Sequence, residues 1–173
     1  MRVLLYKTKH GGTRKIAKVI DAYIGDCILM DFDAIDLSVL KKADVIAIGV
    51  PVYYGKLPQD VVKFIKNNQD FLIARDYSLF VTGLLYSEFM SYVTDAFDFH
   101  LLKNVKVISG LGGALYYPEL SISEKMALNV MNQRSPVIPK EHNKKMYQNF
   151  NNNEIEIFAN KIRRLDEKAT SLD

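Results

Sequence analysis

The chain has 173 residues, 49% of them hydrophobic, a formal charge of +3 and a single cysteine, which together describe one domain with a full core. No apolar run approaches the roughly 18 residues of a membrane-crossing helix, and the short apolar N-terminus leads into a glycine turn rather than a signal peptide. The lone Cys27 excludes an internal disulfide and fits a reducing cytoplasm as buried filler, while the mild basic excess neither makes a nucleic-acid binder nor fits the strongly acidic class of small redox carriers.

Residues 2–6 read as a buried strand and residues 13–24 as an amphipathic helix, with Ile16, Val19, Ile20, Tyr23 and Ile24 on its apolar face. Residues 27–30 are a short strand and residues 37–42 a short helix. Residues 45–50 (VIAIGV) are continuously apolar, as a central parallel strand covered on both faces must be. Pro58 opens a helix whose inward stripe is Val61, Val62, Phe64 and Ile65. Residues 77–83 read as the fourth strand, followed by one helix over about 88–101 packed through Met90, Val93 and Phe97. Residues 105–109 form the fifth strand, and a last helix over about 154–165 carries Ile155, Phe158, Ile162 and Leu165. This alternation predicts an α/β fold, a doubly wound parallel sheet with right-handed crossovers, spanning residues 1–173 as a single domain.

One connection breaks the rhythm. Residues 110–153 are far longer than a usual loop and carry their own helix signal, a capping box of Ser121 and Glu124 followed by Ile122, Met126 and Val130 on one face. The segment PVIP (residues 136–139) ends that helix, and a basic, Asn-rich stretch with Lys140, Lys144 and Lys145 follows. Two readings of the stripe stay open: it packs on the domain, or it faces a large apolar substrate while the lysines meet anionic lipid.

The stretch TKHGGT, residues 8–13, stands where the first strand hands over to a helix. Ligands of open parallel sheets bind beyond the carboxyl ends of the strands. A helix N-terminus there offers free N–H groups and a partial positive charge to a phosphate, Gly11 and Gly12 allow a tight turn, and Thr8 and Thr13 offer hydroxyls. Neither GxxxxGK[ST] nor GxGxxG is present, so the loop suits one terminal phosphate; the plainer alternative is that Thr13 merely caps the helix. After the third strand, Pro51, Val52, Tyr53, Tyr54 and Gly55 offer aromatic rings to a flat apolar ligand, and after the fourth lie Thr82, Gly83, Leu84, Leu85 and Tyr86. His10 in the first loop is read as a neutraliser of charge, and His100 and His142 as isolated. No metal-ligand spacing and no catalytic acid or base is evident.

With Thr8, Gly11 and Thr13 in the pattern [ST]-x-x-G-x-T, the chain resembles the flavodoxin-like family. The resemblance implies strand order 2-1-3-4-5 with a helical insertion after the fifth strand, and bound FMN. The phosphate would lie in the loop of Thr8, Lys9, His10, Gly11, Gly12 and Thr13, and the isoalloxazine between the loops at Tyr53–Gly55 and Thr82–Tyr86. Within the family, Tyr53-Tyr54-Gly55 and the run Gly113-Ala114-Leu115-Tyr116-Tyr117-Pro118 are similar to motifs of quinone-dependent protoporphyrinogen oxidases. That subgroup's basic segment after the fourth strand is absent, since Glu88 is the only charge in residues 84–92. The expected function is therefore an FMN redox protein, either a simple electron carrier with a protein partner or a quinone-dependent protoporphyrinogen dehydrogenase touching the membrane periphery. A ligand-free interaction scaffold is the remote alternative. A phosphorylated receiver domain shares the topology, but Gly49-Val50-Pro51 and Lys7-Thr8-Lys9 stand where its acidic residues belong.

Overall fold

Hydrophobic strands that bury both faces need a helical layer on each side, and the chain supplies both. The computed structural model describes residues 1–136, 138 and 145–170, the last five as backbone. In chain order it contains β1 (Arg2–Tyr6), α1 (Gly12–Ile24), β2 (Cys27–Asp31), α2 (Leu37–Leu40), β3 (Val45–Pro51), α3 (Gln59–Asn67), α4 (Gln69–Ile73) and β4 (Asp76–Thr82). Then follow α5 (Phe89–Ala96), α6 (Phe99–Leu102), β5 (Ile108–Gly110), β6 (Gly112–Tyr116), α7 (Ile122–Arg134), β7 (Met146–Phe150) and α8 (Asn152–Thr170). The five-stranded sheet has the expected order β2-β1-β3-β4-β5, and every pairing in it is parallel.

Alternation along each strand divides the core. Val3, Leu5, Ile46, Ile48, Tyr77 and Leu79 belong to the layer that holds Val61, Val62 and Ile65 of α3 and Val93 of α5. Leu4, Tyr6, Val45, Ala47 and Phe80 join Ile16 and Ile20 of α1 with Ile155, Phe158 and Ile162 of α8. Each fully buried side chain of this size is worth about 1.5–3 kcal/mol of transfer free energy. Register matters for function. Tyr6 lies opposite Gly49 and Pro51 opposite Thr82, so the loops after β1, β3 and β4 leave the sheet side by side.

Several expected elements differ. The single helix over 88–101 is two: Phe97 is extended, and the Asp98 carboxylate accepts the Leu101 N–H at 2.9 Å, capping α6. Met90 points to solvent, while Val93 and Phe97 are buried as expected. Tyr23 is likewise exposed on α1. The fifth strand is shorter and later than expected, although the Val107 carbonyl still accepts the Leu79 N–H.

The insertion contains more order than its sequence promised. β6 and β7 pair antiparallel as a ribbon, with Gly112 opposite Phe150. The capping box of Ser121 and Glu124 starts α7 as expected. Ile122, Met126 and Val130 are 80%, 66% and 51% exposed, so the stripe does not pack on the domain; Leu128 is the buried residue of α7. Lys145 is exposed, whereas Pro139, Lys140, His142 and Lys144 lie outside the described residues. Among the described residues, no helix is long and apolar enough to cross a membrane.

Candidate functional site

The site is built from strand ends. β1 stops at Tyr6, the Lys7 N–H donates to the Gly49 carbonyl at 3.0 Å, and the chain turns through Thr8–His10 into α1. Gly11 is the N-cap, with a left-handed φ of 76° that glycine adopts without penalty, and no side chain caps the helix. The reading of Thr13 as a cap is therefore overturned. Its side chain is buried, and its hydroxyl is bonded to that of Thr82 at 2.8 Å, linking α1 to the end of β4. The first N–H groups of α1 thus face the cleft without a side-chain acceptor, which is the electrostatic setting of an anion site.

The opposite wall is apolar. Tyr53 and Lys56 exchange backbone hydrogen bonds at 2.9 and 3.0 Å, closing a two-residue turn with Tyr54 at φ 53° and Gly55 at φ 73°. Positive φ at both central positions is the I′-like geometry of a tight hairpin, and it turns Tyr54 outward, 63% exposed. Tyr53 faces inward, and its hydroxyl oxygen accepts the Lys9 N–H at 2.8 Å. Burial pushes the Tyr53 phenol above its ordinary pKa.

β6 forms the third side. Gly83 N–H donates to the Gly112 carbonyl at 3.0 Å, and a Cβ on Gly113 would lie 2.6 Å from the Gly83 carbonyl carbon. Only a residue without a side chain lets the two backbones approach this closely. The result is a cavity of about 70 Å³ lined by Thr8, His10, Gly12, Thr13, Pro51, Val52, Tyr53, Thr82, Gly83, Gly113 and Ala114.

Nine of those eleven are residues that the sequence assigns to a ligand site, and the fold brings them together. Lys9 and Gly11 belong to the same loop without lining the cavity, Tyr54 and Gly55 stand on the outer turn, and Leu84, Leu85 and Tyr86 continue toward α5 outside it. Gly113 and Ala114 were missed as site residues, although they open the Gly113–Pro118 run that the sequence already marked.

Charge around the loop is arranged differently from expectation. His10 does not stand free for an anion: its Nε2 lies 3.1 Å from Glu124 Oε1 and its Nδ1 3.5 Å from Glu119 Oε2. Lys9 Nζ reaches the same Glu124 oxygen at 2.7 Å. The Lys9 hydrogen bond, the Ser121 N–H and His10 hold the Glu124 carboxyl well below the usual carboxylate range. Just before the loop, Lys7 is bonded to Asp33 and lies 2.9 Å from Asp60, which ties the end of β1 to α3. His100 is exposed, and no group of residues able to hold a metal occurs among the described residues.

Known proteins share this architecture. A curated flavodoxin from Clostridium saccharobutylicum is 29% identical over 73 residues, covering 39% of this chain and 46% of that protein, so the match spans about half the relative's length. A short-chain flavodoxin associated with a PDU bacterial microcompartment aligns with a TM-score of 0.51 at 18% identity, over 78% of this chain and 98% of that one. The Streptococcus pneumonia TIGR4 flavodoxin gives 0.50 at 18% identity, over 76% and 98%. At such identities these structures speak for the fold. The family model for the flavodoxin domain matches residues 3–136, from β1 through α7, and the chain belongs to that family.

Proposed function

We propose that the chain is an FMN-binding redox protein that exchanges electrons with redox partner proteins through the flavin. The observation that carries this reading is the uncapped N-terminus of α1, whose Gly12 and Thr13 line a cavity together with the polar Thr8 and Thr82 and the apolar Pro51, Val52 and Tyr53 ring. Backbone N–H groups and Thr8 suit a single phosphate, while Val52 and Tyr53 suit a flat ring. FMN combines one terminal phosphate with one ring system, and no fingerprint for a second nucleotide is present. The residues present fit the group.

In this reading Thr8, Gly11, Gly12 and Thr13 hold the phosphate end, with Lys9 and His10 flanking it. The loops at Pro51–Gly55 and Thr82–Tyr86 bracket the ring. When bound, FMN supplies the electron chemistry, and the protein supplies binding, orientation and electrostatics. The test is the gently purified protein: it is yellow, and acid releases FMN rather than FAD. A colourless protein that takes up no added FMN overturns the proposal.

A narrower reading has one specific support. Ile122, Met126 and Val130 form an exposed apolar stripe on α7, on the face opposite to Glu124 and the buried Leu128. Together with Tyr53-Tyr54-Gly55 and the Gly113–Pro118 run, this is the support for the second reading, a quinone-dependent protoporphyrinogen dehydrogenase that meets the membrane periphery. Protoporphyrinogen oxidation with a quinone acceptor is the deciding assay. Single-electron exchange with a reductase, without porphyrin oxidation, selects the simple carrier.

A further inference from the structure

Two carboxylates of the insertion meet the loop after β1: Glu119 lies 3.5 Å from His10 Nδ1, and Glu124 engages both Lys9 and His10. Glu124 is 115 positions from Lys9, so their contact is a product of the tertiary fold. Its side chain is only 11% exposed, and both oxygens are engaged: Oε1 by Lys9 Nζ at 2.7 Å and His10 Nε2 at 3.1 Å, Oε2 by the Ser121 N–H at 2.8 Å. Glu124 does not line the cavity, whereas His10 does.

We propose that Glu124 is a positioning residue for the cofactor's terminal phosphate, holding Lys9 and His10 so that the phosphate loop keeps its shape before the ligand arrives; this rests on the FMN reading above. The loop runs irregularly from Tyr6 to Gly12 and is held from three sides. Tyr53 takes the Lys9 N–H, Thr82 takes the Thr13 side chain, and Glu124 takes the side chains between them. A loop ordered in advance loses less freedom when it binds. The Lys9 ammonium offsets the Glu124 charge, so the pair orients the loop without setting a bare carboxylate against the phosphate. α7 thereby takes part in the binding site through a side chain that does not line the cavity.

Glu124→Gln isolates this role, because glutamine still completes a capping box with Ser121 and leaves the start of α7 intact. Flavin-free wild type and variant are titrated with FMN and with riboflavin, which lacks the phosphate, by quenching of flavin fluorescence. The expected result is an FMN Kd raised about fivefold or more, the low end of ordinary coupling between sites, with riboflavin changed by less than about twofold. Equal losses for both flavins, an unchanged FMN Kd or a tighter one overturns the proposal. If wild type binds neither flavin, the FMN reading fails, and the loop itself is then read by amide hydrogen exchange in the flavin-free protein. Exchange at residues 9–13 that quickens about fivefold in Glu124→Gln supports positioning by Glu124; unchanged exchange overturns it.

Discussion

The hydroxyl oxygen of Tyr53 accepts the backbone N–H of Lys9 at 2.8 Å across 44 positions of sequence, joining the turn after β3 to the loop after β1. The neighbouring Tyr54 has no such anchor; it stands exposed on the turn at φ 53°. The two tyrosines therefore have separable roles. Tyr53→Phe keeps the ring and removes the tether, so FMN affinity falls by about 0.5–1.5 kcal/mol, the net worth of a neutral hydrogen bond. Tyr54→Ala leaves affinity nearly intact but raises the flavin's reduction potential, because an electron-rich ring beside it disfavours added negative charge. Fluorescence titration reads the first effect and equilibration with redox dyes the second; an affinity unmoved by Tyr53→Phe, or a potential unmoved by Tyr54→Ala, makes that residue packing only.

Thr13 and Thr82 share a buried hydroxyl pair at 2.8 Å, where α1 meets the end of β4. Thr13→Val leaves the Thr82 hydroxyl buried without that partner. Stability should fall by about 1–3 kcal/mol, the desolvation cost of an orphaned polar group. Urea unfolding checks this: the midpoint drops while the slope is unchanged.

Gly113 tests whether the ribbon belongs to the site. A Cβ there would sit 2.6 Å from the Gly83 carbonyl carbon, and neither backbone can give way alone. Gly113→Ala must push β6 away from the loop after β4, at a cost on the order of 1–3 kcal/mol for an overpacked contact. Both the thermal midpoint and FMN affinity are expected to fall. A variant as stable as wild type with normal affinity would show that the ribbon is remote from the cofactor.

Much of this was legible in the sequence because it follows local rules. Continuous apolar runs such as residues 45–50 declare a central parallel strand, and the Ser121–Glu124 capping box announces α7 from four residues. The β6–β7 ribbon was not legible. β6 begins with two glycines and β7 reads MYQNF, so neither shows clean alternation, and only their pairing across the insertion makes them strands. The break before α6 was hidden too, since Asp98 looks like any surface acid until its carboxylate caps Leu101. Thr8, Gly11 and Thr13 stand out through their place between strand and helix and the resemblance to [ST]-x-x-G-x-T. The engagement of Lys9 and His10 by Glu124 depends on a contact that spacing cannot reveal.

The Glu124 clasp has a defined pH window. Lys9, Ser121 and His10 hold its carboxyl below the ordinary value of 4.5, so its stabilisation is complete above that value. It is lost only as pH falls toward the lower folded-state value, when the carboxyl takes a proton. The Tm difference between wild type and Glu124→Gln should therefore be constant from neutral pH down to about pH 5 and shrink below 4.5. A difference that disappears at higher pH would mean the clasp is not ionic.

The central claim is that the N-terminus of α1 holds a single terminal phosphate. Parallel titration of the flavin-free wild-type protein with FMN and riboflavin tests it most directly, because the two ligands differ only in that group. Hydrogen bonds to a charged group are worth about 1.5–3 kcal/mol each, so two from the loop predict FMN binding at least about a hundredfold tighter than riboflavin. Equal affinity for the two flavins, or no binding of either, would contradict the account.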